Sequence, residues 1–380
     1  MSELIKSCGE RADFQARLMA TVSAFALTAY IASANAAVAD DTDRPTVWVE
    51  LGGQMELMQG LASPITAPFM TAISPTPGPY SDNIFLNGQK PSLHAFGLQG
   101  GISFQPENSD WVFTAGIRYG RSHSKRHIRH QTQVPPYHFT TGTYHISRTK
   151  YAAPFADIKS DFHESHTILD FAAGKDIGLG MFGHDSSSTL SVGVRFAQFS
   201  SRSMLDVQGR PVLTPGPLII GIPKYFTWDQ YTLSGTAERS FRGIGPSLSW
   251  NASAGLLGNH ESGELMLDWS VNVAALFGRQ KARTSHNTEQ RHEYGPNQTP
   301  EYPIIYQTGT GIVRSRSRSV TVPNIGGSIG FSVNYPNAKV SLGYRADFFF
   351  GALDTGIDAR QTKDLGFNGP YASISIGLGG

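Results

Sequence analysis

The chain has a single cysteine, almost no net charge and, past its first forty residues, no long apolar run. With only Cys8 among 380 residues, no disulfide can form within it. Lys and Arg number 31 against 30 Asp and Glu, which removes the general basic field that gathers nucleic acid. Charged residues make up only 16%, which with many glycines and aromatics does not suit a disordered chain. After the N-terminal region no segment approaches the roughly 20 consecutive apolar residues of a spanning helix. A membrane crossing, if there is one, must then be made by strands. What is abundant fits that: 41 glycines and 11% aromatics suit a β-protein with two unlike faces.

The N-terminus reads as a targeting segment. Lys6, Arg11 and Arg17 precede the apolar stretch "LMATVSAFALTAYIASA", followed by "SANAAVADD". Small residues at Ala34 and Ala36, or Ala37 and Ala39, form an A-x-A cleavage pattern. Residues 1–36 are expected to be a signal peptide, cut after Ala36 or Ala39, and 46–380 the folded part. Cys8 precedes the apolar run, so it is not a lipidation cysteine, and the exported chain has none.

Period two dominates after residue 45. In "GELMLDWSVNVAALFG", Leu265, Leu267, Trp269, Val271, Val273, Ala275 and Phe277 share one face, against Glu264, Met266, Asp268, Ser270 and Asn272. "WVFTAGIRYG", "TLSVGVRFAQF", "PSLSWNASAGL" and "KVSLGYRADFFF" repeat it. Strict alternation of this kind makes a strand with one apolar face. The polar faces carry Arg, Asp and Glu among Gly, Ser and Ala, the mixture of a narrow wet interior rather than of a soluble sandwich's outer face. Trp111, Tyr119, Trp250, Trp269 and Tyr344 fall near strand ends, as interfacial girdles do.

Short connections ("QPENSD", "GNHESG", "YPNA", and the longer "IGLGMFGHDSSS") alternate with long ones at about 57–91, 122–163, 205–224, 283–308 and 354–367. The fold class predicted is all-β: a transmembrane antiparallel up-and-down β-barrel of about 10 strands, within a range of about 8–12, with short periplasmic turns and long extracellular loops. The strands are placed near 46–56, 92–105, 110–121, 164–176, 188–204, 225–256, 264–282, 310–335, 339–353 and 368–379. The sixth and eighth exceed what a membrane needs, so they either project outward or bend at Pro246 and Pro323.

Several segments, "DFAAGKDIGLG", "VGVRFAQF", "FRGIGPSLSWNASAGLLG", "GYRADFFF" and "GPYASISIGL", resemble the Legionella-type major outer-membrane protein family over roughly 160–380. The resemblance implies a pore-forming barrel of the Gram-negative outer membrane.

Candidate functional residues follow from the alternation. "RSRSRS" puts Arg314, Arg316 and Arg318 on one strand face. Counting down to Asn324, Gly326 and Ser328, that face is the lumen, provided Pro323 hides no bulge. The three arginines would make an electropositive outer vestibule or a merely solvated strand end. Glu50, Arg118, Asp170, Arg195, Asp268, Arg345 and Asp347 are the other candidate pore-lining residues. Both signs are present, so they can polarise a constriction or neutralise one another; charges in a low-dielectric lumen need partners, and pairing is the default.

Seven of the twelve histidines, from His123 to His166, lie in "RSHSKRHIRH" and the residues after it. Spacings of three and four would align His123, His127 and His130 on a helix as metal ligands. No acidic or cysteine ligand lies among them and Lys125, Arg126 and Arg129 repel a cation, so the stretch reads as a basic external loop and no metal is expected. Asp157, Asp161, His163 and Glu164 are close in sequence, but without a G-x-S-x-G or phosphate loop no catalytic residue, cofactor or enzyme activity is expected.

The expected function is porin-like passive diffusion of small solutes, with anion preference as an option. The alternative is a closed structural or adhesive barrel acting through its external loops. Expected partners are outer-membrane lipid and lipopolysaccharide, the barrel-assembly machinery and small solutes, with a homo-oligomer allowed and nucleic acid excluded. The expected location is the outer membrane.

Overall fold

In a computed structural model the alternating segments become ten long strands. The structure describes residues 46–59, 94–106, 109–131, 138–141, 144–147, 155–177, 186–210, 213–215, 218–219, 222–223, 225–259, 263–296, 305–356 and 360–378. The expected signal peptide and most of the 57–91 connection lie outside the described residues. The barrel strands are β1 (Thr46–Gln59), β2 (His94–Gln105), β3 (Trp111–Gln131), β4 (Phe155–Asp176), β5 (Ser186–Arg210), β6 (Tyr225–Asn259), β7 (Gly263–Pro296), β8 (Ile305–Tyr335), β9 (Ala338–Asp354) and β10 (Thr362–Leu378).

Each strand pairs antiparallel with its neighbours in sequence, and β10 returns to β1 through Val47 opposite Leu378. The sheet is therefore closed, and within its shared height no strand edge is left without a partner. The count and direction agree with the sequence reading. The boundaries do not: β3, β4, β5, β7 and β8 run far into stretches expected as loops, so that 122–131, 155–163, 205–210 and 283–296 are strand. The reason lies in pairing. A strand continues as long as its neighbour offers a ladder, and polar residues such as those of "RSHSKRHIRH" pair as readily as apolar ones.

The prolines do not bend the register. Pro246 lies opposite Val194, and Pro323 opposite Ala275, in unbroken ladders. Register shifts occur instead between Gly255 and Leu257, between His286 and Thr288, and between Phe349 and Leu353. The last includes Gly351 at φ 68°, a backbone that a side chain rarely adopts. It turns the β9–β10 hairpin inward.

An apolar band surrounds the barrel. On β3 it runs from Trp111 to Tyr119, nine residues, the span of a tilted membrane strand. Phe96, Leu98, Val192, Ile244, Phe277, Ile329 and Leu342 are among its exposed members. Above the band, on the side of the long strands, the faces exchange character. On β6, Ile244 points out below the exchange. Arg242 points out above it, while Phe241, one residue away, is fully buried inside. No bulge separates them. The six strands β3–β8 continue beyond the shorter β9, β10, β1 and β2 as a projecting sheet.

Candidate functional site: the lumen and its outer mouth

Every candidate lumen residue points inward, and they sort into layers. Nearest the short-turn end, Lys339 meets Asp268 at 2.9 Å. A polar cavity of about 370 Å³ opens there, with Glu50, Arg118, Asp170, Arg195 and Arg345 among its lining. Its inner limit is a charged layer. The Arg118 guanidinium donates to Asp347 and lies 3.5 Å from Asp170. Arg195 holds Asp170 at 2.5 and 3.2 Å, donates to Asn272 at 2.6 Å and to Asn324, and stands 4.0 Å from Asp347. Gln99 donates to Glu50 at 2.6 Å and accepts from Arg345, whose guanidinium also stacks 4.7 Å from the Tyr371 ring.

Seven sequence-predicted residues from β1, β3, β4, β5, β7 and β9 thus lie in the lower lumen, and each finds a partner. Charges buried in this way are retained only in good geometry with their hydrogen bonds filled. Gly326 matters here, because a Cβ at that position would collide with the Asp347 carboxylate. The wet interior expected from the polar faces exists in the lower half as a paired network.

Above it the lumen is dry. Met58, Ala95, Ile168, Phe199, Phe241, Leu276, Val322, Phe349, Leu353 and Phe367 form one buried cluster inside the barrel. The rings of Phe349, Phe241 and Phe367 lie 4.6, 5.8 and 5.7 Å from that of Phe199. This corrects the expectation of a polar lumen throughout. The signal was present in the sequence: "DFFF" and "AALF" are apolar on both parities, which marks a strand buried on both faces. A lone pair sits against the cluster. His166 Nε2 is 3.4 Å from Glu56 Oε1, and both side chains are almost wholly buried. Gly120 is glycine for their sake, since a Cβ there would strike both. The sequence reading named His166 as the last of the clustered histidines and did not single out Glu56.

A second polar layer closes the mouth. Arg239, almost fully buried, donates to Ser203 at 3.3 Å and to the Thr355 carbonyl at 3.2 Å. Glu164 accepts from Ser201 at 2.6 Å. Burial pushes the Glu164 carboxyl up to about 8 against the opposing pull of Ser201 and Arg239. The inturned hairpin supplies Asp354, whose Oδ1 takes the Gly356 and Gln361 amides at 3.1 Å each.

The "RSRSRS" arginines end here. The unbroken ladder of β7 and β8 puts Arg314, Arg316 and Arg318 on the lumen-side face, as the alternation predicts. Arg316 donates to Asp354 at 3.0 Å and to the Gly356 carbonyl at 2.5 Å, tying the hairpin to the wall. Arg314 and Arg318 are exposed. Residues 305–323 of β8 pair only with β7 among the described residues. The arginine row therefore also lies on a sheet edge, where inward charge discourages pairing with another chain.

The histidine segment is the other correction. His123 and His127 are on β3, not in a loop, and they point outward above the apolar band. Asp161 and Asp157, from β4, reach them at 2.9 Å each.

No protein-family model matches the chain, and no curated protein is similar to it. Solved structures give distant likenesses. The transport unit of the autotransporter AIDA-I from Escherichia coli has 9% identity, covering 92% of this chain and 96% of that one, at a TM-score of 0.18. A deltaS2S3 mutant of TodX, a monoaromatic hydrocarbon channel, has 10% identity, covering 90% and 91%, at 0.22. OmpT of Vibrio cholerae has 10% identity, covering 90% and 99%, at 0.15. At such scores none carries an argument, and the transmembrane barrel rests on the closed ladder and the apolar band.

Proposed function

We propose that this protein is an outer-membrane barrel that acts as a closed, membrane-anchored platform and works through its projecting long-strand end. The observation that carries the reading is the dry layer. Met58, Ala95, Ile168, Phe199, Phe241, Leu276, Val322, Phe349 and Phe367 come from nine different strands. A loop folded into a lumen can swing out, but side chains rooted in the wall cannot leave without parting the wall. Parting them would expose apolar surface at about 25 cal/mol per Å².

The outer-membrane location is supported by closure itself, since lipid accepts only structures that satisfy their own backbone, and by the export signal read in residues 1–36. The resemblance to the Legionella-type family supports the same membrane. Insertion by the barrel-assembly machinery belongs to the proposal. So does contact with lipopolysaccharide phosphates, supported by Arg242 opposite Arg279 at the upper edge of the band and Lys281 and Arg283 above. No catalytic role is proposed.

The porin reading is the second one. The polar cavity favours it, and it requires a conformation in which the apolar layer opens. Anion preference would then rest on the row of Arg314, Arg316 and Arg318 at the mouth, of which Arg316 also holds Asp354. The test is single-channel recording on the refolded chain from Ala37 in a planar bilayer. A heat-modifiable, folded barrel is expected to stay silent. Steady current steps of reproducible size would overturn the closed reading, and a reversal potential on the anion side would favour the porin.

A further inference from the structure

Outside the lumen, one cluster of side chains has no part in the closed-barrel reading. His123 on β3 and His163 on β4 are direct cross-strand partners on the outward face, four residues beyond the last aromatic of the band. Their imidazoles stack, with centroids 4.0 Å apart and planes 11° apart. Asp161, two residues from His163 on the same face, puts one oxygen between them. Its Oδ1 is 2.9 Å from His123 Nε2 and 3.2 Å from His163 Nε2. One ligand atom from each of the three lies within 4.8 Å of the others.

We propose that His123, Asp161 and His163 form a surface site for a divalent transition metal, with zinc as the ion that fits best. Four ligands at 2.0–2.1 Å around tetrahedral zinc stand about 3.3 Å from one another. The two nitrogen–oxygen separations already lie near that value. Two imidazoles and one carboxylate are a donor set zinc accepts, and they leave the fourth position to water or to a group from outside the protein.

Binding requires both rings in the Nδ1–H tautomer, and the metal replaces the His123–Asp161 hydrogen bond and the His163–Asp161 contact. Lys125 is the competing cation. Its ammonium lies 3.7 Å from Asp161 Oδ2, the oxygen the metal does not use.

The β-ladder explains why the site escaped the sequence reading. On a strand, the carboxylate comes from the paired strand thirty-eight positions away, not from the same run. The His127–Asp157 pair further along the same face has one histidine fewer and serves as the control.

The test titrates the refolded full barrel in detergent with Zn²⁺ against a colorimetric chelator, and follows Co²⁺ by its visible absorption. Wild type is expected to bind one zinc at this site and to give the intense cobalt bands of four-coordinate geometry. His123→Ala and His163→Ala should each weaken zinc by about tenfold or more and abolish those bands, with Asp161→Asn intermediate. Lys125→Gln should tighten binding, and His127→Ala should leave it unchanged. All five side chains are at the surface, so heat-modifiable migration is expected to report intact folding in each. The proposal is overturned if folded wild type binds no zinc at 100-fold excess over protein, or if the His123→Ala/His163→Ala double variant binds zinc and cobalt as wild type does.

Discussion

The lower and upper halves of this barrel are built from the same strands and have opposite faces. Within the band, Ile329 is exposed outward while Ser328 and Gly330 face the lumen. Farther up on the same strand, Val322 is buried inside and the arginines begin. The ladder between them is unbroken. A strand offers two faces, and the medium on each side decides which is apolar. Lipid demands the apolar face outside. Where lipid ends, water takes the outer face and the apolar side chains turn inward as in a soluble barrel. The exchange of parity therefore marks the membrane surface along the chain.

That contrast is broken most directly by truncating one apolar residue from each half. Phe199→Ala should cost about 4 kcal/mol, read as a fall in the urea midpoint of the barrel in detergent, because a sealed ring cluster cannot collapse around the void. Ile329→Ala, facing detergent, should cost roughly 1 kcal/mol or less. Equal costs would mean that the upper lumen is wet.

The next effect in size concerns the outer polar layer. Glu164 is protonated in the fold up to about pH 8, whereas an unfolded glutamate ionises near 4.3. Between those values the folded state holds a proton that the unfolded state has lost, so stability falls as pH rises through that window and levels off above it. Glu164→Gln should flatten the decline and raise stability at pH 8 by on the order of 3 kcal/mol. An unchanged pH profile would place water in the Glu164 pocket.

The smallest effect belongs to the arginine row. Changing Arg314, Arg316 and Arg318 together to serine should cost roughly 1 kcal/mol, mostly through Arg316 and Asp354. It should also leave the β9–β10 hairpin more open to protease. Any larger loss would give the row a structural weight that its exposure does not suggest.

Much of this was legible in the alternation. The apolar parity of "WVFTAGIRY" and "KVSLGYRADFFF" required strands, and the inward direction of Glu50, Arg118, Asp170, Arg195, Asp268, Arg345 and Asp347 followed from it. The arginine row could be counted onto the face of Asn324, and the unbroken ladder keeps Arg314, Arg316 and Arg318 in that parity. The strand ends were not legible, because polar stretches such as 122–131 continue by pairing, and pairing belongs to the neighbour.

By itself the sequence determined which residues share a face, because successive side chains on a strand must alternate. Only the tertiary structure decided what each face meets. Closure of the ring brought Arg118 to Asp347, 229 positions away, and sealed Phe199 against Phe349 and Phe367. The pairing of β3 with β4 brought Arg118 to Asp170 and set Asp161 between two histidines. Those encounters depend on the register between strands and on closure of the sheet, which no single strand carries.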